Sequence, residues 1–523
     1  MKKEAAYLFF LLVFSTVYFA ANYVGVASQP HVFENIDHLA GFVPHNCYKI
    51  PLNRDKKLFY SNKGHFFKQK GQGNLFHNVT GIDKIPTSPI WKTPSISTEY
   101  ASLAIFKKKG PTKNQVACLT ITNKAASKGL PVVSLIINPS DFFSNSNGIY
   151  VQGNKSFFIT RHDFYPKHWT SPANYFEKSK ENKRKGLCTY YDSAGEALFS
   201  QTVDVSIAGN ATRYFPQKSL HLKAGKKKGK RRFAYDVFGD STYYSSMVLR
   251  NGGNDGLKTL ISDGVMQQVM QHAGLETLPF KLCTVYINGL YWGVHSIRTR
   301  SDEKWVAEKR NIKSRYVTFM ENWELKSGKK SQLDRLLKVV EESNNPSLEA
   351  MHDISEQLDM DNFVKYLSAQ IFFCNTDWPS NNIKAFKIQN SKEETKWRFI
   401  FFDLDYGMGY TGSKAVETDM IAYLKASQGP MGTIFRCLMT SGAFRLKLKQ
   451  TLVTLMKNEL SENNLCKTID NYVSLLRSKM TFHLERWRKP VDVDEWQRNV
   501  NALKAFAHSR INYINQHIAK HLK

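Results

Sequence analysis

The sequence predicts an α+β fold in which a β-rich first part precedes an α-rich C-terminal part. Short apolar runs, such as residues 102–106 and 115–121, alternate with Gly, Pro, Asn and Lys clusters, a pattern typical of strands. Beyond Met431 the apolar residues follow helical spacing almost to the C-terminus. The chain has 523 residues, 42% of them hydrophobic, so it is long enough for two or three packed domains and too polar for a multi-span membrane protein.

The N-terminus has the pattern of an export signal. Two lysines precede an apolar stretch over residues 5–26, and small residues at 25–27 offer a cleavage point. The stretch is also just long enough to span a bilayer, so a single membrane anchor through residues 5–26 is the alternative to a cleaved signal peptide over residues 1–27. Either form predicts an exported protein in the periplasm, at the cell surface or secreted.

The charge balance predicts attraction to anionic partners. Lys and Arg number 73 against 45 Asp and Glu, which gives a net charge of +28. Some of this charge lies in the Gly/Lys/Arg-rich loop 224–232, which is either a solvated hairpin tip or a docking site for an anionic surface. An anionic surface polymer, an acidic protein or a nucleotide would suit this charge. The sequence carries no motif for sequence-specific nucleic-acid recognition.

The patterns divide the chain into three parts. Residues 28–130 predict a small β-rich accessory domain. The continuous apolar run 131–137 is typical of a buried strand and opens a second domain that extends to residue 523. Within it, residues 131–315 read mostly as strands with one amphipathic helix from about residue 257 to 272, and residues 316–523 form the α-rich part.

One segment carries candidate chemistry. A helix capped by Asp361 leads into the polar loop 375–382, which is followed by strand-like runs over 383–388 and 396–402. The second run ends at Asp403 and Asp405. In an antiparallel hairpin the start of one strand faces the end of the other, so Asn382 and Asp403 are predicted to lie side by side. Oxygen donors of this kind bind Mg²⁺ together with nucleotide phosphates.

The order of these residues matches the catalytic loop of protein kinases. Asp377 precedes Asn382 by five positions, and a strand pair then ends in an aspartate at 403. In this interpretation Asp377 orients or deprotonates the acceptor hydroxyl, while Asn382, Asp403 and Asp405 bind the metal. The alternative is that these residues only form turns and cap helices.

The same residues resemble the CotH (spore-coat protein H) kinase family, whose members carry N-x-D-W-x-x-N-N followed by a strand pair and D-x-D. Upstream blocks that include residues 148–153, 215–220, 249–255 and 286–294 extend the resemblance over roughly residues 130–520. The family implies an atypical protein-kinase-like domain with two lobes, about 131–315 and 316–523. Residues 85–127 faintly resemble the β-domain found at the C-terminus of β-hexosaminidases.

The resemblance implies transfer of the ATP γ-phosphate to Ser or Thr of an envelope or secreted protein, with Mg²⁺ or Mn²⁺. By similarity to kinases, Lys218 contacts the nucleotide phosphates, Arg250 reaches the phosphates or positions Lys218, and Asp263 pairs with that lysine. An exposed strand lysine is the alternative for Lys218. The chain departs from the family pattern at Gly209–Arg213 and at Thr299, where relatives carry Glu.

Two competing functions remain open at the level of the sequence. A kinase-like scaffold with a basic face can serve as a surface adhesion protein without turnover. The same nucleotide site can also serve another transferase, one that transfers adenylate or an amino acid.

Overall fold

The computed structural model describes residues 129–144, 146–153, 172–225, 231–287, 290–390 and 394–523, together with four strands N-terminal to these. The predicted signal or anchor segment lies outside the described residues. No helix in the described part of the chain is long and apolar enough to cross a membrane. The four N-terminal strands are β1 (His31–Val32), β2 (Tyr48–Lys49), β3 (Ala101–Lys109) and β4 (Lys113–Ile121).

The predicted α+β composition is confirmed, and seven strands between Val132 and Arg298 close into a barrel. The barrel order is β11-β12-β9-β8-β7-β6-β5, and parallel pairing of β11 with β5 closes it. The sequence predicted strands here without predicting closure, and the two-lobed kinase-like arrangement stays a prediction. The barrel strands are β5 (Val132–Ile137), β6 (Arg184–Tyr191), β7 (Ala197–Ile207), β8 (Leu220–Ala224), β9 (Ser246–Arg250), β11 (Lys281–Ile287) and β12 (Leu290–Arg298).

Alternation along the strands decides which side chains fill the barrel. In β8, Leu220, Leu222 and Ala224 are buried, whereas His221 and Lys223 between them are half-buried. Because successive side chains of a strand point to opposite faces, the first set faces the barrel interior and the second faces outward. The apolar interior also includes Leu135, Val205, Leu249 and Val285, all less than 1% exposed.

A second sheet of five strands holds the predicted hairpin, in the order β10-β16-β15-β13-β14. β15 and β16 are antiparallel, with Lys384 opposite Ile400, so the predicted hairpin over 383–402 is confirmed. This register brings the residues just before β15 and just after β16 to the same end of the hairpin. The strands are β10 (Glu276–Thr277), β13 (Val317–Glu321), β14 (Glu324–Ser327), β15 (Lys384–Ile388) and β16 (Arg398–Phe401).

Eleven helices occur among the described residues, and most of them lie C-terminal to the barrel. The helix predicted from about residue 257 begins at Ser262, because residues 253–257 form a 3₁₀ turn. The helices are α1 (Pro139–Phe143), α2 (Ser262–His272), α3 (Glu303–Lys309), α4 (Lys330–Glu342), α5 (Leu348–Gln357), α6 (Met360–Phe373), α7 (Met420–Ala426), α8 (Pro430–Met439), α9 (Gly442–Lys457), α10 (Glu462–Trp487) and α11 (Val493–His521).

Helix α6 leads into the candidate site, and its apolar face packs against β16. Tyr366 stacks on Phe399 of β16 and Phe363 packs against the same ring at a tilt of 45°, with ring centroids 5.2 Å apart in both pairs. The helix ends at Cys374, whose φ of 54° stops the helical backbone. The prediction that Asp361 caps this helix is wrong: Asp359 is the N-cap, and its Oδ1 accepts from Asn362 N–H at 3.0 Å.

The cap assignment predicts different stabilities for two neighbouring variants. Asp359→Ala removes the cap and the ion pair with Arg398, and it should lower the free energy of unfolding by about 1–2 kcal/mol. The matched control is Asp361→Ala, because this carboxylate is 81% exposed and pairs with Lys447 at the surface. We expect a change within about 0.5 kcal/mol there, measured by urea denaturation. An equal loss in both variants would contradict the assignment.

Candidate active site

The loop after α6 positions the first candidate residue, Asp377. Its Oδ2 accepts from Asn382 Nδ2 at 2.7 Å and from Asn381 Nδ2 at 3.4 Å. Asn382 has φ of 58°, a left-handed conformation that asparagine adopts more readily than most residues. Since the amide nitrogen of Asn382 donates to Asp377, Oδ1 is the atom of this side chain that could serve as a metal ligand.

Asp403 and Asp405 follow β16 and are held from the barrel. Arg250, the last residue of β9, donates from Nη2 to Asp403 Oδ1 at 2.5 Å and lies 3.3 Å from Asp405 Oδ2. The backbone N–H and side-chain amide of Asn254 donate to the same Asp405 oxygen at 2.5 and 3.2 Å. The end of β9 and the turn after it therefore fix the position of both carboxylates.

The charge of Asp403 raises the proton affinity of two neighbouring carboxylates. Burial and then the charge of Asp403 raise the pKa of Asp377 above its ordinary value. Burial and Asp403 also raise the pKa of Asp405, against the opposing effect of Arg250. Asp403 and Asp405 thus share the positive charge of Arg250, and Asp377 has no cation partner among these groups, so added positive charge at this point would be favourable.

This donor set suits a hard divalent cation. Asp403, with a side chain 33% exposed, is accessible, and Asn382 Oδ1 and Asp405 supply further oxygen donors of the kind that Mg²⁺ and Mn²⁺ prefer. Among the described residues no group of three or more His, Cys, Asp or Glu side chains is arranged to bind a metal. The metal site of Asp403, Asp405 and Asn382 therefore stays a prediction, and its oxygen donors are of the kind that bind Mg²⁺ and Mn²⁺.

Asp263 lies in the first turn of α2 and contacts the turn at residues 403–405. Its Oδ1 accepts from the backbone N–H of Leu404, between Asp403 and Asp405, at 2.9 Å. Its carboxylate forms a buried ion pair with Arg298 at the end of β12. Burial alone would raise the pKa of Asp263, but Arg298 and Arg250 lower it below its ordinary value. Asp263 therefore acts on the 403–405 turn through charge and through a backbone hydrogen bond.

Sequence reasoning missed Arg298 as part of this network, and it considered Asn254 only as a contact to phosphates or to Lys218, or as a helix cap. The only signal for Arg298 was its place beside Thr299, where relatives carry Glu. Thr299 is buried, and its hydroxyl has no hydrogen-bond partner within the described residues. Asp263 provides Arg298 with a carboxylate, so the arginine is paired although position 299 lacks an acid.

Lys218 is placed apart from these groups. It lies just before β8, and its ammonium donates to the carbonyl oxygens of Arg213 at 2.6 Å and Phe215 at 2.8 Å. The same nitrogen stands 3.8 Å from the centre of the Tyr175 ring. Burial and the charge of Arg213 lower the pKa of Lys218 well below its ordinary value. Asp263 pairs with Arg298 in this structure, and a nucleotide contact by Lys218 stays a prediction.

A family model described as CotH kinase protein matches residues 205–514, more than half of the chain. The chain belongs to the CotH kinase family. The matched range begins inside β7 and continues through the hairpin to α11, so it includes every predicted site residue of this CotH-family chain. No curated protein matches the chain.

Proposed function

We propose that this CotH-family chain is a metal-dependent kinase that transfers the γ-phosphate of ATP to Ser or Thr of an envelope or secreted protein. The observation that carries the proposal is the convergence of Asp377, Asn382 and Asp403 at one end of the β15–β16 hairpin. Family membership supports kinase-like activity in general. Export through residues 1–27, as a signal peptide or an anchor, is part of the proposal.

Each site residue has a defined task in the proposed reaction. Asp377 accepts the proton of the acceptor hydroxyl while the hydroxyl oxygen bonds to the γ-phosphorus of ATP. The bond between that phosphorus and the oxygen that bridges it to the β-phosphate breaks, and ADP is released. The raised pKa of Asp377 favours proton acceptance. Asn382, Asp403 and Asp405 would hold Mg²⁺ or Mn²⁺, which neutralises phosphate charge when bound.

The network around these residues supplies preorganisation. Arg250 and Asn254 hold the two metal-site carboxylates from the barrel side, and Asp263 holds the backbone between them. Fixed charges and hydrogen bonds reduce the reorganisation that phosphate transfer would otherwise require. In this proposal Arg250 also lies where it can contact phosphate oxygens.

The test uses ATP labelled in either the γ- or the α-phosphate, with purified residues 28–523 and a mixture of envelope proteins. We expect incorporation of γ-label only, dependent on added Mg²⁺ or Mn²⁺ and abolished by EDTA, because the carboxylate site needs the cation. Incorporation of α-label would instead indicate adenylate transfer. Equal, metal-independent incorporation of γ-label by wild type and Asp377→Asn would contradict the kinase proposal. A binding function without turnover would then be the remaining candidate.

A further inference from the structure

The outer face of the barrel sheet connects the candidate active site to a group of cations. Across neighbouring strands His221 lies opposite Val248, and Val248 lies opposite Arg298. Strands are about 4.8 Å apart, so His221 is roughly 10 Å from the arginine that pairs with Asp263. Lys223 is the next outward-facing residue of β8. The face that carries the site arginines therefore continues onto β8.

Four cations lie on or beside this face. Lys223 belongs to β8, and Lys183 comes just before Arg184, which lies opposite Val205 of β7, itself opposite Leu222 of β8. Arg300 follows β12 and Lys304 lies in α3; both are exposed, as is Lys183, and the charges of all four lower the pKa of His221. We call these four residues with His221 the basic surface. Within the described residues, no acid forms an ion pair with Lys183, Lys223 or Lys304, whereas Arg300 lies 3.5 Å from Asp302. The neighbouring Asp204 is paired with Lys185 and Arg231.

His221 adds an unused polar atom to this group. Its Nε2 is buried and has no hydrogen-bond partner in the described part of the chain. Burial and then the surrounding cations lower the pKa of His221 to about 4, so the ring is neutral at pH 7. Several cations close together, with a neutral ring between them, are unfavourable in the free protein, and an anionic ligand would reduce the repulsion among them.

The basic surface adjoins the end of the hairpin that carries the candidate site. Lys384, the first residue of β15, donates to the carbonyl and hydroxyl oxygens of Ser301, beside Arg300. Lys384 follows Asn382 by two positions and lies opposite Ile400 of β16, the strand that leads to Asp403. A ligand at Arg300 would therefore lie near Asn382 and Asp403.

We propose that the basic surface binds an acidic segment of the protein acceptor, so that Asp and Glu side chains near the target Ser or Thr contact Lys223, Arg300 and Lys304. This inference rests on the proposed phosphate transfer and names the class of acceptor. Clustered cations select carboxylate-bearing segments and reject basic ones, because like charges repel at close range. The net charge of +28 adds long-range attraction to the same class of partner.

The test compares two fluorescent peptides of equal length, each with a central serine, flanked by Glu in one and by Lys in the other. We expect wild type to prefer the Glu peptide and Lys223→Glu/Lys304→Glu to bind it roughly tenfold or more weakly, with a smaller dependence on salt. The matched control is Lys449→Glu/Lys467→Glu, which makes the same charge change at exposed positions of α9 and α10. This control should bind within about twofold of wild type.

Three results would overturn the inference: no preference of wild type for the Glu peptide, unchanged binding by Lys223→Glu/Lys304→Glu, or tighter binding of a labelled single-stranded oligonucleotide. ADP binding is measured in the same variants, and parallel loss of ADP and peptide binding would assign the surface to the nucleotide and also overturn it. Transfer of γ-label in the absence of Glu-peptide preference would reject this inference alone. Salt-sensitive Glu-peptide binding without any transfer would reject the kinase function and keep the surface as an anion site.

Discussion

Asp403→Asn is expected to lower the rate of γ-phosphate transfer by on the order of 10²–10³-fold. The carboxylate faces the site with a third of its side chain exposed, and Arg250 holds its other side. Asparagine has the same size and tolerates the φ of 54° found at this position, so the loss reports the missing charge and not a changed backbone. The initial rate of label transfer at saturating ATP measures it.

A second readout separates the metal site from the proton acceptor. Asp403→Asn should weaken Mn²⁺ binding at least roughly tenfold in a calorimetric titration. Asp377→Asn should lower the transfer rate by about 10²–10⁴-fold yet leave Mn²⁺ affinity close to that of wild type, because the proposal assigns Asp377 to the acceptor proton and not to the metal. The control Asp334→Asn removes an exposed carboxylate of α4 and should change neither quantity. Equal Mn²⁺ affinity in wild type and Asp403→Asn would contradict the metal assignment.

Asp263→Asn is expected to produce the largest loss of stability, about 3–5 kcal/mol in the free energy of unfolding. The substitution leaves the guanidinium of Arg298, only 4% exposed, without its carboxylate partner. It also weakens the acceptor for the N–H of Leu404 and so loosens the turn between the metal-site aspartates. Urea denaturation followed by circular dichroism measures the effect.

A double-mutant cycle tests whether this loss comes from the ion pair. The double variant Asp263→Asn/Arg298→Met removes both charges and should be more stable than the sum of the two single losses predicts. Strict additivity would contradict the pairing. Asp470→Asn, which breaks the more exposed pair with Lys504, is the control and should cost less than about 1 kcal/mol.

The difference in stability between wild type and Asp263→Asn should depend on pH in a definite direction. The pKa of Asp263 is lowered in the folded protein, so its contribution to stability is present above the ordinary aspartate value of 3.8 and is lost as pH falls through the folded value. The stability difference between wild type and Asp263→Asn should therefore be constant near neutral pH and shrink in acid. A difference that grows on acidification would contradict the lowered pKa.

Much of the candidate site followed from local patterns. The hairpin of β15 and β16 was predictable because two apolar runs joined by a turn pair with their nearest neighbour in sequence. Its register then implied that Asn382 and Asp403 lie at one end. The helix before the loop was also predicted, although its cap was assigned to Asp361 when the side chain of Asp359 makes the hydrogen bond.

Other features required contacts between distant parts of the chain. The barrel closes through pairing of β5 with β11, and no local pattern indicates which strands meet across such a separation. Arg250 and Asp403 are 153 positions apart in the sequence. Arg250 makes this contact because it lies at the end of β9 with its side chain on the outer face of the barrel. Lys218 lies just outside β8, so strand alternation could not place its ammonium, which two backbone carbonyls accept.

By itself the sequence determined the order of chemical groups: an aspartate, an asparagine five positions later and an aspartate after a strand pair, in a basic α+β chain. Tertiary structure decided which cations hold them, because Arg250, Arg298 and the basic surface come from barrel strands and loops that meet the hairpin only in the folded molecule. Short-range hydrogen bonding determines a hairpin, whereas a charge network depends on which faces pack together.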